Sequence, residues 1–233
     1  MRRCAAKGCT IAQVTPLTCD QVRYGYDEVV ALAGISKSFR AGAITTIAGP
    51  SGSGKSTLLR ILACVTRPHG GRVQLEDVEV GGLSGQRRRR IRRYRLAYMF
   101  QRPADNLLEY LTAAEQVRLA ADIRGTQLDR DEISRVLDTL RIGHRMDHRP
   151  EQMSGGEQQR LALACAVVGG PAIVLADEPT AELDTGSANH VLDAMRALRD
   201  QGVTFAVTSH DPMVIETTDH LLRLDRGEAV ESW

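Results

Sequence analysis

Apolar and polar residues change their period along the chain, dividing it into stretches of sheet and of helix. Over 17–48, short β-prone runs such as Ala43-Ile44-Thr45-Thr46-Ile47-Ala48 are broken by turn signals like Arg40-Ala41-Gly42, which predicts strands. Over 54–65, Leu58, Leu59, Ile61 and Leu62 recur at helical spacing until Pro68-His69-Gly70-Gly71 stops them. A further strand reads over 95–100. Helical patterns follow at 111–124 and 129–140 with little strand character between, so a helical insert is expected at about 103–155. The last third alternates: helix 154–168, strand 172–176, helix 187–200, strand 203–207, a short helix after Pro212 and strand 221–225. Helices alternating with apolar strands predict a mostly parallel sheet covered on both faces. Residues 1–16 show no period and are expected to form a flexible leader ahead of one domain over 17–233.

Composition narrows the function. Hydrophobic residues at 42% and charged residues at 25% exclude a disordered chain. Thirty basic against twenty-nine acidic residues leave a net charge of +1, so no overall field argues for a nucleic-acid partner, and none is expected. The longest apolar run, 161–168, is far shorter than the roughly 20 residues a membrane-spanning helix needs. No apolar stretch follows Arg2, Arg3 and Lys7, which points to the cytoplasm. Five cysteines, Cys4, Cys9, Cys19, Cys64 and Cys165, without a Cys-x-x-Cys pair, read as reduced thiols rather than a metal or disulfide framework. The arginines at 87–90, 92, 93 and 95 read as a solvated face, with attraction to anionic lipid or nucleic acid as the alternative.

Three segments carry chemistry. Gly49-Pro50-Ser51-Gly52-Ser53-Gly54-Lys55-Ser56 fits G-x-x-x-x-G-K-[ST] and lies between a strand and a helix, where backbone N–H groups and the helix end can cradle phosphates. Lys55 would reach the β- and γ-phosphates, and Ser56 would ligate Mg²⁺. The apolar strand before Asp177-Glu178 puts two carboxylates at the carboxyl edge of a parallel sheet: Asp177 suits the metal and Glu178 the attacking water. Ser154 is a natural N-cap, yet Gly155 and Gly156 weaken the first turn of its helix, as though something must approach the backbone closely, and a phosphate is the expected visitor.

Taken with Met153 to Arg160, these residues resemble the ATP-binding-cassette ATPases, whose signature motif that segment matches. Gln101 is similar to the Q-loop glutamine, Ala181-Glu182-Leu183-Asp184 to the D-loop, and His210 to the switch histidine. Tyr24, 25 residues before the phosphate loop, stands where the family places an aromatic against adenine, with Tyr26 as the fallback. Within the family the motifs look most like the lipoprotein-releasing and macrolide-exporting ATPases. The resemblance implies an α/β fold: a P-loop NTPase core with a mostly parallel sheet, an N-terminal antiparallel β subdomain and an inserted α-helical subdomain. It further implies that ATP with Mg²⁺ is bound by residues 49–57, including Thr57, with Gln101 and Asp177 near the metal. Lys55, Gln101, Glu178 and His210 would serve hydrolysis, while Ser154, Gly155, Gly156 and Asp184 would complete the site of an opposing subunit. A homodimer, or a pair with a similar ATPase, would then drive a separate integral membrane permease from the cytoplasmic face, with export or extraction of a lipoprotein, peptide or drug-like substrate as the expected work. An alternative is mechanotransmission, in which the ATPase works an extracytoplasmic process through a membrane partner without transport. Leu107, Leu108, Tyr110 and Leu111 would offer the permease an apolar lip. The 99 residues from Lys55 to Ser154 leave no room for the long coiled coil of chromosome-organising relatives.

Overall fold

The computed structural model describes residues 16–233, so Cys4, Cys9 and all but the last residue of the expected leader lie outside the described residues. Two sheets organise the chain. The first is antiparallel, in the order β2-β1-β4-β5, built from β1 (Leu17–Tyr26), β2 (Val29–Phe39), β4 (Gly70–Leu75) and β5 (Val78–Glu79). The second has six strands in the order β10-β9-β3-β8-β7-β6, comprising β3 (Ile44–Ala48), β6 (Leu96–Met99), β7 (Ile173–Asp177), β8 (Phe205–Ser209), β9 (His220–Asp225) and β10 (Glu228–Ser232). Its strands pair in parallel except for the β9–β10 hairpin.

Alternation along the parallel strands divides the core between the two faces of the sheet. Ala97, Met99, Val174, Ala176, Phe205 and Val207 point to one face, which packs on the buried stripes of α3 (Ala113–Ile123), α4 (Arg130–Thr139), α5 (Gly155–Val167) and α6 (Thr185–Asp200). Leu96, Ile173, Leu175, Ala206 and Leu222 point to the other, against α1 (Lys55–Leu62) and the antiparallel sheet. Because the strands run in parallel, the carboxyl ends of β3, β7 and β8 fall on one edge. The phosphate-loop sequence, Asp177-Glu178 and His210 follow those three ends. Among the described residues no helix is long and apolar enough to cross a membrane.

Where the elements differ from the sequence reading, the cause is tertiary. The arginine run forms a helix, α2 (Gly85–Tyr94), capped by Ser84, although no residue on it is fully buried. Arg92 donates to the Cys64 carbonyl at 2.6 Å and Arg93 to that of Ile123 at 2.6 Å, and Arg95 pairs with Glu76. Only part of the run is therefore a solvated face. Helix α6 begins two residues early because the Asp184 carboxylate accepts the Ser187 N–H at 3.0 Å. Strand β8 begins two residues late, since the Val203 N–H is taken by Leu198 at the end of that helix. Strand β10 escaped because every one of its residues is exposed, leaving no buried face to give it a period.

Candidate active site

Strand β3 delivers the chain into the 49–56 loop, and α1 carries it away. Gly54, the residue before α1, has φ 102, and a Cβ there would lie 2.5 Å from the Ala31 carbonyl oxygen, so only glycine fits. Helices α2 to α6, and α7 (Pro212–Glu216), are capped by Ser84, Thr112, Asp129, Ser154, Asp184 and Asp211. Helix α1 has no side-chain cap and no acidic residue in its first turn. Its leading N–H groups and positive dipole end are left for an anion. The buried Ser53 Oγ in the same loop has no hydrogen-bond partner, a second unanswered polar group in the cradle. Lys55 is buried, and its Nζ folds back on the Gly49 and Pro50 carbonyls at 2.9 and 3.0 Å, 3.8 Å from Glu178 Oε1.

Asp177 closes β7 facing α1. Its Oδ1 accepts from Ser56 Oγ at 3.0 Å and from Thr208 Oγ1 at 2.6 Å, and its Oδ2 from the Tyr98 hydroxyl at 3.3 Å. Burial first, and then the Asp177 charge, push the Tyr98 phenol well above its ordinary pKa, so it stays a donor. Glu178 takes a left-handed backbone, φ 43, with its N–H held by Thr208 Oγ1 at 2.9 Å. Its Oε2 meets His210 Nδ1 at 2.8 Å, at the mouth of a 310 Å³ cleft that also takes in Thr180 and Asp211. Lys55, Ser56, Asp177, Glu178 and His210 thus form one network. Hard oxygens on Ser56 and Asp177 match the preference of a magnesium ion, and the loop matches a polyphosphate.

Apart from Gly49 and Pro50, whose carbonyls hold Lys55, the other expected site residues lie outside that network. Gln101 is exposed just beyond β6, on a segment tied by Asn106, whose side chain accepts from the Phe100 N–H at 2.8 Å and donates to the Phe100 and Arg102 carbonyls. Pro50, Ser51 and Gly52 line the exposed outside of the loop. Tyr24 has one ring face stacked on His69, centroids 4.4 Å apart, and meets Tyr26 edge-on. Tyr26 is 48% exposed, and its hydroxyl lies 3.5 Å from Thr57 Oγ1, beside α1. Ser154 opens α5 with a reciprocal cap to Glu157, while Asp184 spends its carboxylate capping α6. Gly156 has a packing reason that the sequence hid: a Cβ there would come within 2.8 Å of Ser187 Cβ on α6. Leu107, expected on an apolar lip, is buried in the core, whereas Leu108 and Tyr110 are exposed. Sequence reasoning missed Thr208, Tyr98 and Asn106, whose roles depend on pairing between strands or on loop closure.

The family profile described as ABC transporter matches residues 32–181. The macrolide export ATP-binding/permease protein MacB of Brucella abortus is 39% identical over 212 residues, 90% of this chain but 32% of that protein. The chain therefore spans about a third of the length of that relative. An ABC transporter ATP-binding protein of Thermotoga maritima is 38% identical over 205 residues, 87% of each chain. A solved dimeric, post-hydrolysis structure of the ATP-binding cassette MJ0796 bound to ADP and Pi is 31% identical, with a TM-score of 0.80 over 93% of this chain and 97% of that one.

Proposed function

The chain belongs to the ABC transporter family as an ATP-binding ATPase cassette, and from that membership we propose that it hydrolyses ATP in a head-to-tail dimer to drive a membrane permease. The observation that carries the reading is the convergence on uncapped α1 of Lys55, Ser56, Asp177, Glu178 and His210. The loop N–H groups would hold the phosphates, and Lys55 would leave its carbonyl partners for the β- and γ-phosphate oxygens. Ser56, Asp177 and Gln101 would hold Mg²⁺, which when bound neutralises phosphate charge. Glu178, aimed by His210, would polarise the attacking water. Tyr26 is better placed than Tyr24 to receive the adenine, since it is exposed beside Thr57 while Tyr24 keeps a face on His69.

Ser154, Gly155 and Gly156 stand apart from that network, as they would if they served the opposing subunit. The cap at Ser154 uses the Glu157 N–H, so those of Gly155 and Gly156 would be left to meet a phosphate. The MJ0796 cassette is dimeric with ADP and Pi, which supports a paired cassette here. The macrolide-export relatives join an ATP-binding part to a permease, which supports a membrane partner and an export or extraction role on the cytoplasmic face. Exposed Leu108 and Tyr110 would meet that partner. The same engine would serve a partner that transmits force without moving cargo.

Replacing Glu178 by Gln tests the core of the reading. The variant should bind ATP, dimerise in sedimentation and lose at least about a hundredfold in turnover. Unchanged turnover would remove Glu178 from the chemistry. Recovery of the ATP-bound variant from detergent-solubilised membranes should bring a multi-span protein with it, and recovery of soluble proteins alone would overturn the membrane assignment.

A further inference from the structure

Thr208 is fully buried on β8, and its hydroxyl is the point where the two acidic residues of the site meet. A hydroxyl has one proton and two acceptor positions. Thr208 gives its proton to Asp177 Oδ1 at 2.6 Å and accepts the backbone N–H of Glu178 at 2.9 Å. The arrangement follows from register: Thr208 is the Cα partner of Asp177, and Tyr98 is the partner of Leu175, two residues earlier. Their side chains share the sheet face that packs on α1, from which Ser56 arrives at the same Oδ1. Glu178 sits at φ 43, a left-handed conformation uncommon for a residue that carries a side chain. Thr208 holds its N–H, and two residues on, His210 holds its Oε2.

A buried sheet threonine need not be partnered in this protein. Thr45 and Thr46 on neighbouring β3 bury hydroxyls that meet no partner. Thr208 instead uses its donor and an acceptor on the two residues expected to serve metal and water. We propose that Thr208 is a positioning residue for ATP hydrolysis: it orients the Asp177 carboxylate toward the divalent cation and locks the Glu178 backbone so that its carboxylate faces the water. The Tyr98 hydroxyl on Asp177 Oδ2 is the second support. The inference rests on the ATPase reading above and adds residues to which that reading gives no role.

Thr208→Val removes the hydroxyl at nearly constant volume, and Thr208→Ser restores it. In the full-length chain, binding of Mn²⁺ in the presence of ADP, followed by electron paramagnetic resonance, is measured alongside kcat and KM for ATP. Thr208→Val should lose about ten- to a hundredfold in Mn²⁺ affinity and in kcat, as removal of groups that orient ligands does, with KM for ATP little changed. Thr208→Ser should recover most of both. Wild-type Mn²⁺ affinity and kcat in the valine variant would overturn the proposal, and so would a loss that serine does not repair, because that reports packing alone. Thermal unfolding checks the fold of each variant. Should valine prevent folding, Tyr98→Phe tests the other arm, with a smaller loss in the same direction expected and an unchanged Mn²⁺ affinity counting against the proposal. A wild-type chain that binds nucleotide but does not hydrolyse it would strike at the proposed function, while the Mn²⁺ comparison would still decide the role of Thr208.

Discussion

Glu157 shows how one side chain can belong to a helix cap, a charge pair and a pH response together. Burial by itself would raise its pKa, but the Arg145 guanidinium at 2.8 Å, the Ser154 N–H and hydroxyl, and His144 outweigh that and hold it at about 2 against an ordinary 4.5. A carboxylate whose folded pKa is depressed contributes stability that is complete above its unfolded value and is lost as pH falls toward the folded one. Unfolding free energy should therefore fall between about pH 4.5 and pH 2. A Glu157→Gln variant should be less stable at neutral pH and show a flatter profile over that window; equal slopes in denaturant titrations would refute the assignment. The three thiols among the described residues are quiet for a related reason. Burial pushes Cys19 and Cys165 up to about 12 and Cys64 to about 11, so alkylation at pH 8 mapped by mass spectrometry should spare all three in the folded chain. Tyr26 makes a sharper distinction. Base stacking is worth about 1–3 kcal/mol, so Tyr26→Ala should weaken ADP binding about tenfold or more, while Tyr24→Ala should chiefly lower stability through its lost contact with His69. The reverse order of affinities in calorimetry would return the adenine to Tyr24.

Among the elements, α1 and α5 begin in different ways, although both are proposed to meet phosphate. Reciprocal Ser154 and Glu157 bonds give α5 a side-chain cap that could be read from the spacing of a serine and a glutamate, whereas the missing cap of α1 has meaning only beside Lys55, Asp177 and Glu178. Two glycines inside the first turn of α5 fit an opening for phosphate. For Gly156 the structure adds a packing demand, since α6 approaches so closely that Ser187 leaves no space for a β-carbon. Gly156→Val should therefore cost about 1–3 kcal/mol through overpacking, beyond any effect on activity. Chemical denaturation measures it, and an unchanged midpoint would show that α6 can yield. Helix α2 was the element least legible in the sequence. Its arginines have no apolar period, and main-chain carbonyls supplied by Cys64 and Ile123, distant in sequence, hold two of them in place.

At the scale of the molecule, the proposed dimer makes a strict demand. Lys55→Ala disables the phosphate loop of a subunit and Gly155→Asp disables its signature helix, so each variant alone should be inactive. Mixed together, they form pairs with one intact composite site, and ATP hydrolysis should return; no recovery in mixtures that still dimerise would argue against head-to-tail assembly. For the partner surface, Tyr110→Asp, at a position 67% exposed, should spare basal hydrolysis and abolish stimulation by the permease. Retained stimulation would move the docking site elsewhere. The chain's own order of residues determined the phosphate loop, the paired carboxylates, the signature helix and the alternation of strands and helices, because each is a local pattern in which neighbours in sequence are neighbours in space. Tertiary structure alone decided that Thr208 would reach Asp177, that Tyr98 would stand behind it, that Gly156 would face Ser187 and that the arginine run would coil. Those contacts join residues from separate elements far apart in sequence, and strand register and helix packing bring them together.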